Sequence, residues 1–309
     1  MGNKHTSYSL TQLQSLPLEA KITLTKSRIR QWCEHWDDRV YISFSGGKDS
    51  TVLLNLVRSI YPNCPVVFVD TGLEYPELRE FVKTVNNVTW LKPEMNFKRV
   101  IKEYGYPVIS KNVSRAVHDV KKLGNNCWWA RAFDGREAGL YNYTKYKYLL
   151  NSPFLISNKC CDILKKKPTK KYERETGNHP FIGTMACESQ ARKVAWLHNG
   201  CNAFDTKRPT SQPLSFWKEQ DILQYIKDNN LPYASVYGDI INNNGKYQTT
   251  KYDRTGCVFC MYGCHLEKEP NRFQRLKETH PKIYEFCMKS INDGGLGLED
   301  VLNYINVKH

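Results

Sequence analysis

Apolar positions in LTQLQSLPLEAKITLTKSRIRQWCEHW recur at intervals of three and four, which predicts helix over residues 10–37, broken near its start by Pro17. RVYISFS then reads as a short strand rich in β-branched and aromatic residues. GGKDS is a turn, STVLLNLVRSIY a helix, PVVFVD a second strand and LREFVKTVN a helix. VTWLKP is a third strand and NFKRVIKEYG again a helix. Strands alternating with helices predict an α/β domain with a parallel sheet and helices on both faces. PFIGTMAC resumes the strand pattern, ESQARKVAWLHNG the helix after it, and KEQDILQYIKDNN a further helix, with LPYASVYGD as a loop.

Between these, residues 110–180 change character, with a basic helical run (SKNVSRAVHDVKKLG) and an aromatic, polar stretch (CWWARAFDGREAGLYNYTKYKYLL). After Cys257 a largely helical tail follows, interrupted by GGLG. The expected organisation is an N-terminal helical segment at 1–37, an α/β domain at 38–240 carrying a basic insertion at about 110–180, and a smaller cysteine-bearing helical part at 241–309.

Composition narrows the class. The chain has 309 residues, 40% hydrophobic and 12% aromatic, enough to bury a core. No apolar run has the length of a membrane helix, and the first residues carry no signal-like apolar stretch. Gly2 and Thr6 match the myristoylation pattern, which stands alone and is read as coincidence. The expectation is a cytoplasmic protein with no membrane partner; a homodimer is compatible with the sequence. Lys and Arg outnumber Asp and Glu 45 to 31, giving a net charge of +14. Such a balance points to a polyanionic partner, tRNA or DNA first. Eleven cysteines in a cytoplasmic chain favour metal or sulfur chemistry over disulfides.

The stretch Ser43-Phe44-Ser45-Gly46-Gly47-Lys48-Asp49-Ser50 joins the first strand to a helix. The common ATPase loop places four residues between its first glycine and Gly-Lys; here none intervene. Gly46 and Gly47 can still turn backbone N–H groups towards an anion, and the following helix presents its positive end there. Ser43, Ser45 and Ser50 add hydroxyls, Lys48 a charge, and Asp49 either caps the helix or orients Lys48.

SGGKDS resembles the pyrophosphatase loop of the adenine nucleotide alpha-hydrolase-like superfamily, which splits ATP between the alpha and beta phosphates or grips an adenylyl sulfate. VFVDTGLEYPE resembles the second-strand motif of the phosphoadenylyl-sulfate reductase family, which implies a nucleoside pocket at Asp70, Thr71 and Gly72. GTMACESQAR resembles a later motif of that family and implies that Gly183, Glu188, Ser189 and Arg192 lie near the nucleotide. Arg192 is the best phosphate or sulfate clamp, since guanidinium binds oxyanions in a fork. PLSFWKEQDILQYIKDNNLPYASVY matches the family's next segment at Trp217, Asp221, Leu231, Pro232 and Tyr233, read as structural positions.

Cys160-Cys161 and Cys257-x-x-Cys260 supply two pairs of thiolates, a four-ligand soft site. Zinc and a 4Fe-4S cluster both accept four thiolates; adjacent cysteines fit the corners of a larger cluster more easily than one small ion. The arrangement also resembles the CC…CxxC cluster signature of assimilatory adenylyl-sulfate reductases, down to the DILKKKP after the first pair. Cys264 is read as a spare ligand, a sulfur relay or a buried thiol. Cys187 lies inside the nucleotide motif; a helix starting there would lower its pKa and make it a nucleophile or persulfide carrier. The other cysteines are read as core thiols.

The reductases of this family use a C-terminal ECGLH-type cysteine, and no such motif occurs in these 309 residues; Cys287, in YEFCMKS, does not match it. Related enzymes adenylate an oxygen of a nucleic acid and replace it with sulfur. The resemblance therefore implies first an ATP-dependent sulfurtransferase of the DNA phosphorothioation or tRNA thiolation kind. It would use ATP, Mg2+ and a 4Fe-4S cluster, with a cysteine desulfurase as sulfur donor and Lys48, Asp49, Cys187 and Cys264 as catalytic candidates. The alternative is a phosphoadenylyl- or adenylyl-sulfate reductase with a displaced nucleophile, Cys264 or Cys287. A third class is a nucleotide-sensing module that binds nucleic acid. The runs KNVSRAVHDVKK, WWARAFDGR, YNYTKYKY and LKKKPTKKYER interleave cations with aromatics, as a nucleic-acid surface requires.

Overall fold

The computed structural model describes residues 3–136, 139 and 141–309. Met1, Gly2 of the myristoylation pattern, and Glu137, Ala138 and Leu140 of the aromatic stretch lie outside the described residues. Among the described residues ten strands form, namely β1 (Val40–Ser43), β2 (Val66–Val69), β3 (Val88–Leu91), β4 (Val108–Ile109), β5 (His179–Ile182), β6 (Asn202–Ala203), β7 (Thr210–Ser211), β8 (Ile240–Asn243), β9 (Lys246–Thr249) and β10 (Met261–Tyr262). None of the described helices is long and apolar enough to cross a membrane.

The chain folds as two compact units. The first comprises residues 1–70, 74–92 and 169–255; the second comprises 71–73, 93–168 and 256–309. This differs from the three consecutive segments expected from the sequence. The N-terminal helices belong to the first unit because they bury its core. Ile29, Trp32 and Cys33 of helix Leu18–His35 are fully buried, Trp217 Nε1 donates to Thr25 Oγ1 at 2.9 Å, and the buried Lys21 pairs with Asp221 at 2.7 Å. These contacts give Trp217 and Asp221 the structural roles read from the sequence. Residues 110–168 of the basic stretch share the second unit with the C-terminal tail, where β4 pairs in parallel with β10 and the Tyr106 hydroxyl donates to the Leu296 carbonyl at 2.8 Å.

In the first unit six strands run in the order β3-β2-β1-β5-β7-β6. All neighbours are parallel except β6 and β7. That edge pair departs from the all-parallel expectation because the connection Phe204–Pro209 is too short for a crossover. The sequence accounts for the central strands: Val40, Tyr41, Ile42, Val66, Val67, Phe68 and Phe181 are buried almost completely, as strands covered on both faces must be. Helix Lys48–Arg58 packs onto them through Val52, Leu53, Leu56 and Val57. Pro17 stands at the N-cap of helix Leu18–His35, after helix Ser7–Ser15, where a missing N–H costs nothing.

From β1 the chain runs outwards to β2 and β3, then returns to β5 on the other side of β1. The carboxyl ends of β1 and β5 therefore flank a topological switch point, the place where parallel sheets bind ligands. Residues 44–47 leave one strand there and 183–188 the other.

Candidate phosphate cradle and cysteine cavity

At the end of β1, Gly46 adopts φ +74°. A Cβ there would stand 3.0 Å from Val82 Cγ2 and 3.1 Å from the Leu78 carbonyl oxygen, so both conformation and space require glycine. Gly47 is the N-cap of helix Lys48–Arg58 and has no side-chain cap. Asp49 does not cap the helix; its Oδ1 is buried without a hydrogen-bond partner. Burial raises the Asp49 pKa; Lys48, Arg254 and Arg192 pull it down and Glu219 pushes it up.

The loop's donors are held by hydroxyls. Ser45 N donates to Ser50 Oγ at 3.3 Å, Gly47 N to Ser45 Oγ at 3.3 Å, and Lys48 N to the Tyr237 hydroxyl at 3.2 Å. Each is longer than the usual 2.9–3.0 Å. Weak bonds to small rotatable groups are readily exchanged for stronger ones to an oxyanion. Lys48 is buried, and its ammonium donates to the Asp253 carbonyl at 2.5 Å and pairs with Glu219 at 3.1 Å. It is thus anchored to two groups that the sequence did not indicate. Tyr237, whose ring lies 5.5 Å below the Lys48 ammonium, and Arg254 are further members read only from the structure.

Gly183 closes the other side. A Cβ on it would stand 3.2 Å from the Asp49 carbonyl carbon and oxygen and from Ser50 Cα, all backbone. A side chain here would force the neighbouring backbone to give by a few tenths of an ångström. Glu188 accepts from Met185 N at 2.8 Å, is paired with Arg192, and has Arg254 at 3.8 Å. Ser189 caps helix Gln190–Asn199 by accepting from Arg192 N at 3.3 Å. Arg192 feels Arg254, Asp49 and Cys187, after the burial that lowers its pKa most. The structure thus brings Ser45, Gly46, Gly47, Lys48, Asp49, Ser50, Gly183, Glu188 and Arg192 together. Ser43 ends β1 and Ser189 acts as a cap.

Cys187 corrects one expectation. It lies in the 3-10 turn Ala186–Glu188, and the helix begins at Gln190, so no helix end lowers its pKa. Burial raises it, against the pull of its own turn's backbone and of Arg254. The residue is nevertheless exposed, and its thiol lies 3.5 Å from the Trp217 carbonyl. Asp70, at the end of β2, is held by Arg79 at 2.8 Å. Thr71 and Gly72 belong to the second unit, where Thr71 Oγ1 accepts from Leu73 N at 3.2 Å.

In the second unit Cys160, Cys161, Cys257 and Cys260 line one cavity with Leu73, Phe97, Leu164, Lys165 and Phe259. The Cys160 and Cys161 sulfurs are 3.9 Å apart at the end of the helical turn Lys159–Cys161, and a π-helical turn, Asp162–Lys166, follows. Such turns are rare and gather at functional sites. Cys260 N donates to the Cys257 carbonyl at 3.0 Å, which folds the second pair into a tight turn. Arg272, held by Glu267, donates to the Cys260 carbonyl at 2.8 Å. The sulfur contact splits the first pair: it raises Cys160, with burial, and lowers Cys161, which Lys111 and Lys165 also favour as thiolate. Among the described residues no group of three or more His, Cys, Asp or Glu side chains is arranged to hold a metal ion as it stands. The donor set itself is soft, apolar-walled and bordered by cations, and so fits a thiolate-bound metal or cluster.

Cys264 is not in that cavity's wall; it is buried and donates to the Met261 carbonyl at 3.1 Å. Burial pushes Cys264 and Cys287 each up to about 12, so both are neutral thiols, not accessible nucleophiles.

Fold and cradle together define an α/β domain with its glycine loop at the sheet's switch point. The chain belongs to the phosphoadenosine phosphosulfate reductase domain family, which matches residues 39–125 and 119–262. It is 22% identical over 293 residues to the uncharacterized protein MJ0973 of Methanocaldococcus jannaschii; that alignment takes in 92% of this chain and 55% of MJ0973, so the chain spans about half the length of that relative. It is 23% identical over 234 residues to the adenosine 5'-phosphosulfate reductase of Staphylococcus epidermidis, covering 75% of this chain and 74% of that one. Among solved structures it is similar to the phosphoadenylyl-sulfate reductase of Candida auris in its phosphate complex, at 16% identity and a TM-score of 0.40, over 76% of this chain and 92% of that one.

Proposed function

We propose that this chain binds an adenylyl sulfate through the Ser45–Ser50 loop and reduces it to sulfite and AMP. The observation that carries the reading is the composition of the cradle. Its three cations, Lys48, Arg192 and Arg254, face three carboxylates, Asp49, Glu188 and Glu219. A balanced site of backbone donors suits a sulfonucleotide, which carries less charge than a nucleoside triphosphate. The family and the relatives named adenosine 5'-phosphosulfate reductase support the same choice.

The step is a displacement at sulfur. Cys187 is the exposed cysteine beside the cradle and is within electrostatic reach of Asp49, Arg192 and Arg254. Its thiolate attacks the sulfate sulfur; an S–S bond forms, the S–O bond to the phosphate breaks, and AMP leaves with the electron pair. A thiol of an external dithiol then attacks the cysteine sulfur, sulfite departs, and the donor's second thiol closes a disulfide. Two electrons pass from the dithiol to sulfur. The loop N–H groups hold the nucleotide phosphate, and Arg192 and Arg254 neutralise the sulfate oxygens as charge shifts to the leaving group.

Cys160, Cys161, Cys257 and Cys260 would hold a 4Fe-4S cluster, with zinc the alternative ion for the same thiols. When bound, a cluster would supply an electron reservoir in the second unit. Anaerobically purified protein should be brown, with iron lost in Cys160→Ser and in Cys260→Ser. A colourless protein with stoichiometric zinc would remove the cluster from the account.

A second reading keeps the cradle and changes the chemistry: an ATP-dependent sulfurtransferase that adenylates DNA or tRNA, with sulfur from a cysteine desulfurase. The buried carboxylate oxygen of Asp49 that no protein group satisfies favours it, since a metal-bound triphosphate would use it. Mg2+ would then sit on the triphosphate, and the buried, unpartnered Asp49 Oδ1 fits its coordination shell. The assay that separates the two measures sulfite from adenylyl sulfate with a dithiol, and pyrophosphate from ATP. Sulfite, lost in Cys187→Ser, supports reduction. Pyrophosphate lost in Lys48→Ala or Asp49→Ala, without sulfite, replaces reduction with the sulfurtransferase. Tight AMP binding with neither product leaves a nucleotide-sensing module.

A further inference from the structure

The second unit carries an exposed surface that the nucleotide chemistry does not use. Helix Lys111–Leu123 buries Val113, Ala116, Val117 and Val120 and turns Lys111, Arg115 and Lys122 to solvent. At 1.5 Å per residue these three span about 16 Å, a track rather than a point. The Arg115 guanidinium stands 6.0 Å from the ring of Trp129. Trp129 continues into an aromatic group: Trp128 lies 4.7 Å from it, edge to face, and Tyr141 lies 5.3 Å from Trp129 and 6.1 Å from Trp128. Trp128 is 48% exposed and Tyr141 39%.

Exposed rings packed together, as Trp128 and Tyr141 are, form the kind of contiguous apolar patch that marks a contact surface. The charge around this one selects the partner. Residues 111–148 hold eight Lys or Arg against three Asp or Glu, in a chain whose net charge is +14. Two of those acids are already neutralised, Asp119 by Arg115 at 3.4 Å and Asp134 by Arg136 and Lys147 at 2.9 and 2.8 Å. The surplus is positive, and Lys111, Lys121 and Lys122 of it lie on the same helix as the stacked arginine. A row of cations beside exposed rings suits a backbone of phosphates that bears flat, unpaired bases. A protein partner of ordinary composition would leave the cationic row without counter-charges.

We infer that the Lys111–Arg115–Lys122 row and the Trp128–Trp129–Tyr141 rings form a binding surface for single-stranded nucleic acid. The row tracks phosphates, and Trp128 and Tyr141 stack bases. The inference does not depend on which reaction the cradle performs, and its failure leaves that reading intact.

The test is fluorescence anisotropy of labelled oligo(dT) and oligo(U) titrated with the full chain across a salt series, with heparin as a polyanion that lacks bases. Affinity should fall steeply with salt. Trp128→Ala and Tyr141→Ala should each weaken oligonucleotide binding about tenfold with an unchanged salt slope and unchanged heparin binding. Lys111→Gln with Lys122→Gln should reduce the logarithmic salt slope by about 1.4, two phosphates at about 0.7 each. Far-UV circular dichroism checks that the exposed-site variants fold. No oligonucleotide binding at low salt overturns the inference. So does oligonucleotide binding that both ring variants leave unchanged, or a ring-variant loss that is equal for heparin.

Discussion

The phosphate cradle and the cysteine cavity are both small sites named by short motifs, yet they are built in different ways. The cradle is made of backbone. Gly46 in its left-handed conformation, Gly183 pressed against Asp49 and Ser50, and the helix start at Lys48 are fixed by how β1 and β5 lie side by side. The cavity is made of side chains. Its four thiols come from two stretches about 95 residues apart, they share one wall, and no metal-holding group is formed among the described residues as they stand. Thiolates repel one another, so a positive ion must supply the energy that draws four of them to bonding distance. A site encoded in backbone is set by the fold; a site encoded in thiolates would be completed only by an ion.

Breaking each site separately sharpens this contrast. The largest effect is expected from Cys187→Ser, which should reduce sulfite release to the rate without protein while adenylyl-sulfate binding, followed by calorimetry, persists. Arg192→Ala should come next, with adenylyl-sulfate turnover about 10²-fold lower, because a charged donor aimed at the reacting oxyanion is worth about that much. Gly183→Ala should destabilise the protein by about 1–3 kcal/mol and weaken nucleotide binding, because its added methyl meets backbone that cannot rotate away. A denaturant titration of Gly183→Ala that superimposes on the native curve would count against the close approach.

Asp49→Asn should have the smallest effect on stability, and of opposite sign. The folded Asp49 pKa is raised, chiefly by burial, so its ionisation opposes folding above its unfolded value near 3.8. The amide removes that cost and should raise the Tm at neutral pH while impairing turnover. The raised Cys187 pKa gives a matching kinetic sign. Its thiolate fraction grows with pH, so the single-turnover rate should climb between about pH 7 and 9. A flat profile would exclude Cys187 as the attacking group.

Much of this was legible in the chain. Strands Val40–Ser43, Val66–Val69, Val88–Leu91 and His179–Ile182 and the helices between them follow directly from the alternation of apolar runs. The hairpin of β8 and β9 was missed, although Asn244-Gly245, both at positive φ, is the local signal for it. The division into units was not legible, because parallel pairing between Val108–Ile109 and Met261–Tyr262 joins segments with no local sign of each other. The cradle shows the same limit. Gly46, Gly47, Lys48 and Arg192 announce themselves by motif. Tyr237, Glu219, Asp253 and Arg254 reach the loop only through the fold, and the Lys48 ammonium is held by two of them. The expected activation of Cys187 failed because the helix starts three residues later, at Gln190.

The central claim is that Cys187 takes the sulfo group from an adenylyl sulfate held in the cradle. Incubation of the full chain with stoichiometric adenylyl sulfate and no dithiol, followed by peptide mass spectrometry, tests it directly. The account predicts one added sulfo group (SO3) on the peptide bearing Cys187, formed together with AMP and absent in Arg192→Ala at short times. AMP release with Cys187 unmodified, or a sulfo group on another cysteine, would contradict it.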